Sequence, residues 1–449
     1  MSDIKNKIVS FLEGKYYPAL LLVVTLIAHT FSIELFAVAV FFLTAGFGFI
    51  LCKDLKFFIS PFLMFVFIFS EKSVASGMYY ETPYLIAMVC CAVLLIGLFV
   101  AHFIIHKEHV SFKSFLKSKL FWGYALLSAS FLLNGALNFD EYTLGNIVYA
   151  LILIASITLI FVIFYANLSV DRTVKEHTLY VLYLLSWLVT LEMLIFLFTD
   201  AVYVNGSIVK EYIKLGWGLW NNIGGMLILL LPIHFYYACT KKRFSYLYYL
   251  GALIPFLAIV MTLSRSSLLV GAFMMAVCAL ICCFKGQNKR SNLIITGALL
   301  LAAILGVIVL WDKISTVLLD YLNRGLDDNG RFEMYLHGLE NYSKNPLFGG
   351  GFYSSYELET QFIIFLPFRY HNTIIQMMGT CGIVGLASYL WHRYETFKLF
   401  SEKRSLVNLF IGLCIISMLL GSLLDNHIFN IYPAFVYSLL LVVVEKSKE

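Results

Sequence analysis

The chain has 449 residues, of which 61% are hydrophobic and 13% are charged, and its formal net charge is +5. Soluble globular domains carry about 25% charged residues, so this composition excludes a soluble protein and indicates a membrane protein. The small net charge does not support nucleic-acid binding. All nine cysteines fall within or at the ends of apolar segments, which predicts buried small side chains and neither a disulfide framework nor a zinc site.

The N-terminal sequence MSDIKNKIVSFLEGKYY contains lysines but no small-residue cleavage site before the first apolar segment. It therefore predicts a retained cytoplasmic leader and not a cleaved signal peptide. The apolar segments that follow are mostly long enough to cross roughly 30 Å of hydrocarbon as helices. They predict an all-α polytopic membrane protein of about 12–14 transmembrane helices, with spans near residues 17–33, 34–51, 57–70, 83–105, 120–137, 146–166, 179–199, 221–238, 246–263, 265–284, 291–311, 372–390, 406–423 and 427–444.

Most of the 32 lysines and arginines fall in every second loop of this arrangement. Loops rich in lysine and arginine stay in the cytoplasm, so both termini are predicted to be cytoplasmic. The long polar segment 312–371 is then an extracytoplasmic loop. We expect one integral membrane domain, with transmembrane helices in 1–311, this large loop in 312–371, and further helices and a cytoplasmic tail in 372–449.

Arginines are concentrated among the few basic residues on the outer side, at Arg265, Arg324, Arg331 and Arg369. The planar guanidinium group binds phosphate through two parallel hydrogen bonds, whereas lysine offers a point charge. These four arginines therefore predict an anionic ligand outside the membrane, and the phosphates of a lipid carrier are natural candidates.

Arg265 lies in the sequence SRSS, between two apolar spans that almost touch. One interpretation is an interfacial arginine behind a helix cap formed by Ser264. The other is a phosphate contact at the membrane boundary, assisted by backbone N–H groups at the start of a helix.

The sequence DDNGRFEMYLHGLENYSKNP predicts an amphipathic helix that opens at Asn329-Gly330 and closes before Pro346. Helical spacing places Arg331 and Tyr335 on one face with Gly338 and Tyr342. This helix presents Arg331 to a lipid headgroup or, alternatively, is a solvated lid.

Three further features of the loop are interpreted as structural. Asp327 and Asp328 are more typical of a turn than of a metal site, and His337 of a surface residue than of a catalyst. The NPLFGGG sequence at 345–351 predicts the end of the helix and a backbone that approaches its neighbours closely.

His371 and Asn372 stand where the chain re-enters the membrane, directly after Tyr370. A histidine in this position can act as a base, an acid or a hydrogen-bond donor near neutral pH. It can equally be an interfacial polar residue. His371 completes the predicted site. The predicted substrate-binding residues are Arg265, Arg324, Arg331, Arg369, Tyr335 and Asn372.

The order of SRSS at 264–267, GRFEMYLHGLENYSKNPLFGGG at 330–351 and HNTIIQMMGTCGIVG at 371–385 resembles the O-antigen ligase and O-antigen polymerase superfamily of bacterial membrane glycosyltransferases. The sequence GLWNNIGGMLILLLP at 218–232 looks like the segment that precedes this signature region. The resemblance covers residues 215–390 and implies a GT-C-like, multi-pass protein of the bacterial cytoplasmic membrane.

The resemblance implies a metal-independent, inverting transfer from an undecaprenyl-diphosphate-linked glycan at the outer face of the membrane, with no cofactor. Carried over by motif, Arg265, Arg331 and His371 match the essential arginines and histidine of the family. The acceptor is a glycan or a lipid-linked glycan, and other polysaccharide assembly or export proteins are potential partners. Membrane lipids surround the protein, and no nucleic acid is involved.

Three functions stay open at this point. A surface-polysaccharide or O-antigen polymerase is favoured, because nothing in the sequence indicates a lipid A-core acceptor and the composition, rich in Lys, Phe and Tyr, suits a low-GC source. An O-antigen ligase would transfer the glycan to lipid A-core or another acceptor. A transporter or flippase for a lipid-linked sugar would use charges near the bilayer midplane, for which the candidates are Glu192, His29 and His234.

Overall fold

The computed structural model describes residues 2–31, 33–65, 82–138, 142–204, 207–309, 311, 315, 330–353 and 370–447. This part of the chain is mainly helical, and every predicted apolar span overlaps a helix. Seven of its helices are long and apolar enough to cross a membrane, and an eighth span results if the bent pair Asp3–Leu12 and Tyr16–Phe31 is counted as one. The predicted all-α polytopic fold is confirmed.

The predicted count of 12–14 spans is larger because several predicted spans form helices of only 10–17 residues. The helices of the first half are α1 (Ser2–Leu12), α2 (Tyr16–Phe31), α3 (Glu34–Leu51), α4 (Ile59–Phe65), α5 (Thr82–Ile105), α6 (Phe121–Leu132), α7 (Leu144–Leu153), α8 (Ile160–Asn167) and α9 (Arg172–Thr199). A π-helical segment, Ile154–Leu159, joins α7 to α8, and 3₁₀ turns occur at Leu55–Phe58 and Phe112–Lys117.

Two small antiparallel hairpins, which the sequence did not predict, follow α9. They pair β1 (Tyr203–Val204) with β2 (Ser207–Ile208) and β3 (Lys214–Leu215) with β4 (Gly218–Leu219), and a 3₁₀ turn lies between them at Lys210–Tyr212. The remaining helices are α10 (Trp220–Thr240), α11 (Ser245–Gly251), α12 (Leu253–Met261), α13 (Arg265–Lys285), α14 (Lys289–Val309), α15 (Arg331–Lys344), α16 (Thr373–Glu402), α17 (Leu406–Ser422) and α18 (Ile431–Lys446), with a 3₁₀ turn at His427–Phe429.

Helix α10 is the most deeply packed of the candidate spans, with 89% of its apolar window buried. Its sequence is apolar on all sides, which is typical of a helix surrounded by other helices. It packs against α9, α13 and α17. Pro232 lies inside it, which is tolerated where neighbouring helices shield the backbone. Helix α10 therefore forms the centre of the second half of the protein.

The helix bundle around α10 has a basic end, where lysines and arginines cluster, and an opposite end with uncharged polar residues. At the basic end, Asn288 Nδ2 donates to the Lys242 carbonyl over 2.7 Å, and Lys403 Nζ donates to the Glu445 carbonyl over 2.6 Å. At the polar end, Asn430 Nδ2 donates to Asn222 Oδ1 over 2.9 Å. Helix α10 runs from the polar end to the basic end. The start of α16 and the end of α17 also lie at the polar end, where the residues of the predicted site are found.

Helix α16 is longer than predicted. The predicted span ended at residue 390, whereas the helix continues to Glu402 and kinks at Gly382, where φ is 63° and ψ is −157°. The apolar run stops near His392, but no glycine or proline follows before Glu402, so the helix continues through polar residues that favour it. Arg393 and Lys398, which we expected in a cytoplasmic loop, lie within this helix.

The cysteine prediction is partly confirmed. All nine side chains are free thiols, and six of them are buried as expected. Cys90 is exposed, and Cys91 and Cys283 are half-buried. These residues lie on α5 and α13, whose apolar faces are largely open to the surroundings, as expected for helices in contact with lipid.

Candidate active site

The glycine segment of NPLFGGG packs into the kink of α16. Gly350 N–H donates to the Gly379 carbonyl over 2.8 Å, and Ile383 N–H donates to the Pro346 carbonyl over 2.8 Å. Gly349 has a φ of 68°, and a Cβ atom there would lie 2.5 Å from the backbone carbon of Thr380. The predicted close approach of this backbone is confirmed, and it fixes the end of α15 against α16.

Helix α15 forms as predicted and packs on α16. It begins after Gly330, whose φ is 75°. Gly338 is buried, and a Cβ atom there would meet the side chains of Ile375 and Tyr370. Asn341 Nδ2 donates to the Tyr370 hydroxyl over 2.8 Å. The glycine face of the helix is therefore packed against protein, and the alternative of a wholly solvated lid is wrong.

Arg331 is the first residue of α15 and reaches the turn that follows α17. Its Nη1 donates to the Leu424 carbonyl over 2.8 Å, and the residue is half-buried. The next residue of that turn is Asp425. The guanidinium group is thus held beside a buried carboxylate while part of its surface stays accessible.

His371 lies beside the same turn. Its Nδ1 lies 2.9 Å from Asp425 Oδ1, and 30% of the His371 side chain is exposed, compared with 9% for Asp425. Because a carboxylate only accepts hydrogen bonds, this contact places the proton of neutral imidazole on Nδ1. The lone pair then resides on Nε2, which makes no hydrogen bond to the described part of the chain. A base oriented by a buried acid is the arrangement that activates a hydroxyl group.

The charge of Asp425 is stabilised by its surroundings. Burial raises the pKa of this carboxyl group, but the hydrogen bond from His371 and the electrostatic effect of the nearby His427, His371 and Arg331 outweigh burial and hold the pKa well below its usual range. A lowered folded-state pKa stabilises the protein above the unfolded value of about 3.9, and this contribution is lost as the pH falls through the folded pKa. Asp425 is therefore ionised at every pH near neutrality.

Side-chain amides hold His371 in position. Its φ of 50° is in the left-handed region, which is unusual for a residue with a side chain. Asn372 Oδ1 accepts from the N–H groups of Ile374 and Ile375, capping α16, while Asn372 Nδ2 donates to the Leu423 carbonyl over 2.9 Å. The predicted role of Asn372 in substrate binding stays a prediction, and its hydrogen bonds here serve the turn.

Gln376 supports the turn from one step further along α16. Its Oε1 accepts from Tyr370 N–H over 2.9 Å and from Asn426 Nδ2 over 2.7 Å. Gln376 thus links the residue before His371 to the residue after Asp425. Strained backbone at a functional residue persists only when the surrounding structure determines it in this way.

Two adjacent glycines of α10 bring the start of α13 to the Asp425 turn. A Cβ atom on Gly224 would lie 2.4 Å from Ser267 Oγ, and one on Gly225 would lie 2.6 Å from the ring of His427. Arg265 is exposed at the first position of α13, one half-turn before Ser267. The SRSS segment and the Asp425 turn are therefore neighbours across α10.

The Ser264 prediction is only partly confirmed. Ser264 stands at the N-cap position of α13, but its side chain makes no capping hydrogen bond. Its hydroxyl lies 3.0 Å from Ser267 Oγ instead. The serines of SRSS thus bond to one another behind Arg265, beside the α10 glycines.

Substituting Gly225 with alanine should destabilise the protein and slow its reaction. The new methyl group would clash with the fully buried His427 ring, and overpacking of this kind costs about 1–3 kcal/mol. We expect the melting temperature in detergent to fall. Gly297→Ala is the matched control, because a Cβ atom at Gly297 meets nothing within 4 Å. Equal melting temperatures for both variants would show that α10 does not position the turn.

Four predicted residues lie outside the described part of the chain: Arg324, Arg369, Asp327 and Asp328. Their roles stay predictions. Tyr335 is half-buried on α15. His337 is half-buried as well, and its Nε2 lies 3.3 Å from Asn341 Nδ2, which is a structural contact. Among the described residues, no three His, Cys, Asp or Glu side chains are grouped as metal ligands.

The sequence did not single out Asp425, Gln376 or His427. A signal was present, since Asp425-Asn426-His427 is a polar triplet at the boundary of two predicted spans that nearly touch. A buried charge at a span boundary is expensive and therefore points to a partner. The partner itself could not be read from the sequence, because His371 is 54 residues away.

Glu192 and His234, which were candidates for a transport function, form hydrogen bonds with neighbouring parts of the protein. Glu192 Oε2 accepts from Trp217 Nε1 over 2.5 Å, and both are buried. His234 Nε2 lies 2.9 Å from Ser186 Oγ. These contacts join α9 to the β3–β4 hairpin and to α10, which is a structural role. His29 is half-buried on α2.

Residues 250–390 match the O-antigen ligase family. A comparison with curated proteins found no match to the chain. The matched region begins in α11, includes Arg265 and α15, and ends in α16, so it contains the predicted arginine and histidine sites that the structure describes. This family is of the glycosyltransferase type and uses lipid-linked glycans in a membrane. The chain is therefore a multi-pass membrane protein whose residues 250–390 match the O-antigen ligase family.

Proposed function

We propose that this protein polymerises a surface polysaccharide by transferring an undecaprenyl-diphosphate-linked glycan onto an acceptor glycan at the outer face of the cytoplasmic membrane. The observation that carries this proposal is the contact between His371 Nδ1 and Asp425 Oδ1, with Arg331 bound to the adjacent Leu424 carbonyl. It combines an oriented base with a cation, which are the two groups that the transfer needs.

In the proposed reaction, a hydroxyl oxygen of the acceptor attacks the anomeric carbon of the donor sugar. His371 Nε2 takes the hydroxyl proton as the new carbon–oxygen bond forms. The bond between the anomeric carbon and the phosphate oxygen breaks, and its electron pair leaves with the lipid diphosphate. Attack from the face opposite to the leaving group inverts the configuration. General-base assistance of this kind is worth about 10²–10⁴-fold in rate.

Asp425 supports this role of His371 in two ways. Its contact with Nδ1 holds the ring in one tautomer, and its negative charge stabilises the imidazolium that forms when Nε2 takes the proton. Because Asp425 is nearly buried while His371 is partly exposed, the acid lies behind the ring and the substrate approaches from the open side. Asp425 is thus a positioning residue.

Arg331 and Arg265 are proposed to bind the diphosphate and to stabilise the charge that develops on it. Charge-assisted hydrogen bonds to phosphate are strong, and those that strengthen in the transition state raise the rate. Arg331 already spends one N–H on the Leu424 carbonyl, which fixes the guanidinium plane and leaves other donors of the fork for phosphate. No bound metal or nucleotide is required in this scheme, because the donor is already activated.

Arg331→Ala should slow transfer by about ten- to a hundredfold, since a hydrogen bond to a charged group is worth roughly 1.5–3 kcal/mol. Arg331→Lys should recover part of the rate, because it keeps the charge but loses the planar fork. The control is Lys344→Ala on the same helix, where the exposed ion pair with Glu340 contributes little. If Arg331→Ala transferred glycan as fast as Lys344→Ala, Arg331 would not take part in the reaction.

The charge at the two helix ends supports the outer location of the site. Lysines and arginines surround the ends of α10, α13, α16 and α18 that are opposite to His371, and basic ends remain in the cytoplasm. The donor glycan is attached to a lipid, so its diphosphate lies at the membrane surface, where the polar end would meet it.

A cysteine placed at Ser343 tests this orientation, because Ser343 is exposed on α15. In a variant whose native cysteines have been replaced, a membrane-impermeant maleimide added outside intact cells should label Ser343→Cys. A cysteine at Ser401, near the end of α16, should be labelled only after the cells are opened. The reverse pattern would contradict the outer location of the site.

The polymerase is distinguished from a ligase by its acceptor. Purified protein should be incubated with a lipid-diphosphate-linked repeat unit alone, or together with a lipid A-core acceptor. A polymerase extends the lipid-linked repeat unit into longer glycans without any added acceptor. Glycan found only on lipid A-core would show that the protein is a ligase and not a polymerase. Transport of the intact donor across vesicle membranes without new glycosidic bonds would contradict both functions.

A further inference from the structure

A groove of about 990 Å³ lies between the second half of α16 and the facing side of α17. Apolar side chains form most of its surface, among them Phe397, Phe400, Leu409, Leu413 and Ile416. It extends from Leu423, next to the candidate active site, to Arg404 at the basic end. The groove is therefore long and apolar, with charge at the end opposite to His371.

Arg393 lies in the wall of this groove with unsatisfied donors. Its Nη1 donates to the Tyr437 hydroxyl over 2.7 Å, and its guanidinium carbon is 4.7 Å from the ring centres of both Tyr389 and Tyr437. Nε and Nη2 are buried and have no hydrogen-bond acceptor among the described residues. Leaving donors of a charged group buried without acceptors is costly, so these atoms indicate a ligand that supplies oxygen.

Three more cations line the same end of the groove: Lys285, Lys403 and Arg404. The acidic side chains that act on Lys403 are Glu402 and Glu445, and both carboxylates bond to other residues. Glu402 pairs with Lys119, and Glu445 accepts from Ser118 Oγ over 2.9 Å and from Lys119 N–H over 2.6 Å. Neither acid lines the groove. The basic end of the groove therefore carries a net positive charge.

We propose that this groove binds an anionic phospholipid, whose phosphate lies near Arg404 and the two lysines, whose ester oxygens lie deeper towards Arg393, and whose acyl chains lie along α16 and α17. Basic pockets between membrane helices bind acidic headgroups in this manner. Arg393 lies nine residues before the end of α16, about 14 Å along the helix, so its guanidinium group on Tyr437 lies deeper in the groove than Arg404.

The charges distinguish this occupant from two others. An uncharged polyprenyl chain that entered from the active-site end would fill the apolar part but supply no acceptor to Arg393. A soluble phosphate would satisfy the cations but leave the apolar walls open. Only a lipid with an acidic headgroup matches both parts of the groove. This binding site goes beyond the proposed glycan transfer and does not depend on it.

Native mass spectrometry of the purified full-length protein tests the proposal, with phosphatidylglycerol or phosphatidylcholine added at equal concentration. We expect phosphatidylglycerol to bind at least about fivefold more tightly, which corresponds to about 1 kcal/mol for one cation near a membrane surface. Arg393→Gln and Arg404→Gln should each weaken phosphatidylglycerol binding by about fivefold. Arg404 is exposed and its substitution leaves the helix packing intact, so this variant reports binding even if Arg393→Gln fails to fold.

Arg290→Gln is the matched control, since Arg290 is an exposed arginine at the same end of the bundle but does not line the groove. Its affinity for phosphatidylglycerol should equal that of the unsubstituted protein. A photo-crosslinking residue in place of Phe397 should attach to phosphatidylglycerol. Equal binding of the two phospholipids, an equal effect of Arg290→Gln and Arg404→Gln, or crosslinking to a polyprenyl phosphate in preference to phosphatidylglycerol would each overturn the proposal.

Discussion

His371→Ala should slow glycan transfer by about 10²–10⁴-fold, which is the range expected when a general base is removed. Without the imidazole, the proposed base beside Asp425 is lost, and the attacking oxygen stays protonated for longer along the reaction path. The arginines are untouched, so the affinity for the lipid-diphosphate donor should change little. The measurements are the turnover rate and donor binding for the same preparation of purified protein.

Two comparisons make this prediction specific to His371. His109→Ala removes an exposed histidine that follows the end of α5, and it should transfer glycan at the normal rate. His371→Gln keeps a hydrogen-bonding side chain but cannot act as a base at neutral pH, so it should be as slow as His371→Ala to within about tenfold. A fast His371→Gln variant would show that the ring only donates a hydrogen bond and does not accept the proton.

Asp425→Asn should cause a loss of similar size, about 10²–10⁴-fold, although Asp425 does not touch the substrate in the proposed mechanism. Asparagine has nearly the same shape as aspartate but carries no charge to stabilise the imidazolium, and its amide can favour the wrong tautomer of His371. The loss should appear in kcat with little change in KM, because the interaction acts on the transition state. Asp200→Asn, at an exposed acid that follows α9, serves as the control.

The double variant tests whether the two residues act as a unit. If Asp425 works only through His371, then His371→Ala with Asp425→Asn should be no slower than His371→Ala alone. Losses that multiply in the double variant would show that Asp425 acts independently. If Asp425→Asn also lowers the melting temperature enough that the protein is largely unfolded under the assay conditions, the loss of rate would instead assign Asp425 a purely structural role.

Much of the fold could be predicted from local sequence. Runs such as that of α10 contain enough apolar residues to specify buried or membrane helices on their own, and their positions agree with the structure. The length of α16 could not be read in the same way, because its second part passes through polar residues that are compatible with both a helix and a loop. Arg393 therefore falls beyond the predicted span 372–390, although it lies within the helix.

The candidate site was only half predictable. Arg331 and His371 stand in motifs and could be identified by residue type and order. The partners that give them a function come from distant positions, since Asp425 is 54 residues beyond His371 and Leu424 is 93 residues beyond Arg331. Tertiary packing alone creates these contacts. The glycines of α10 show the same limit, because their role is visible only where Gly225 meets His427.

The most direct test of the proposed function is an in vitro assay with purified protein and a lipid-diphosphate-linked oligosaccharide, in the absence of nucleotides. The unsubstituted protein is predicted to form longer glycans and to release lipid diphosphate. The His371→Ala variant is predicted to bind the donor with similar affinity but to form product at least about a hundredfold more slowly. No product from the unsubstituted protein, or normal product formation by His371→Ala, would contradict a glycosyl transfer centred on His371 and Asp425.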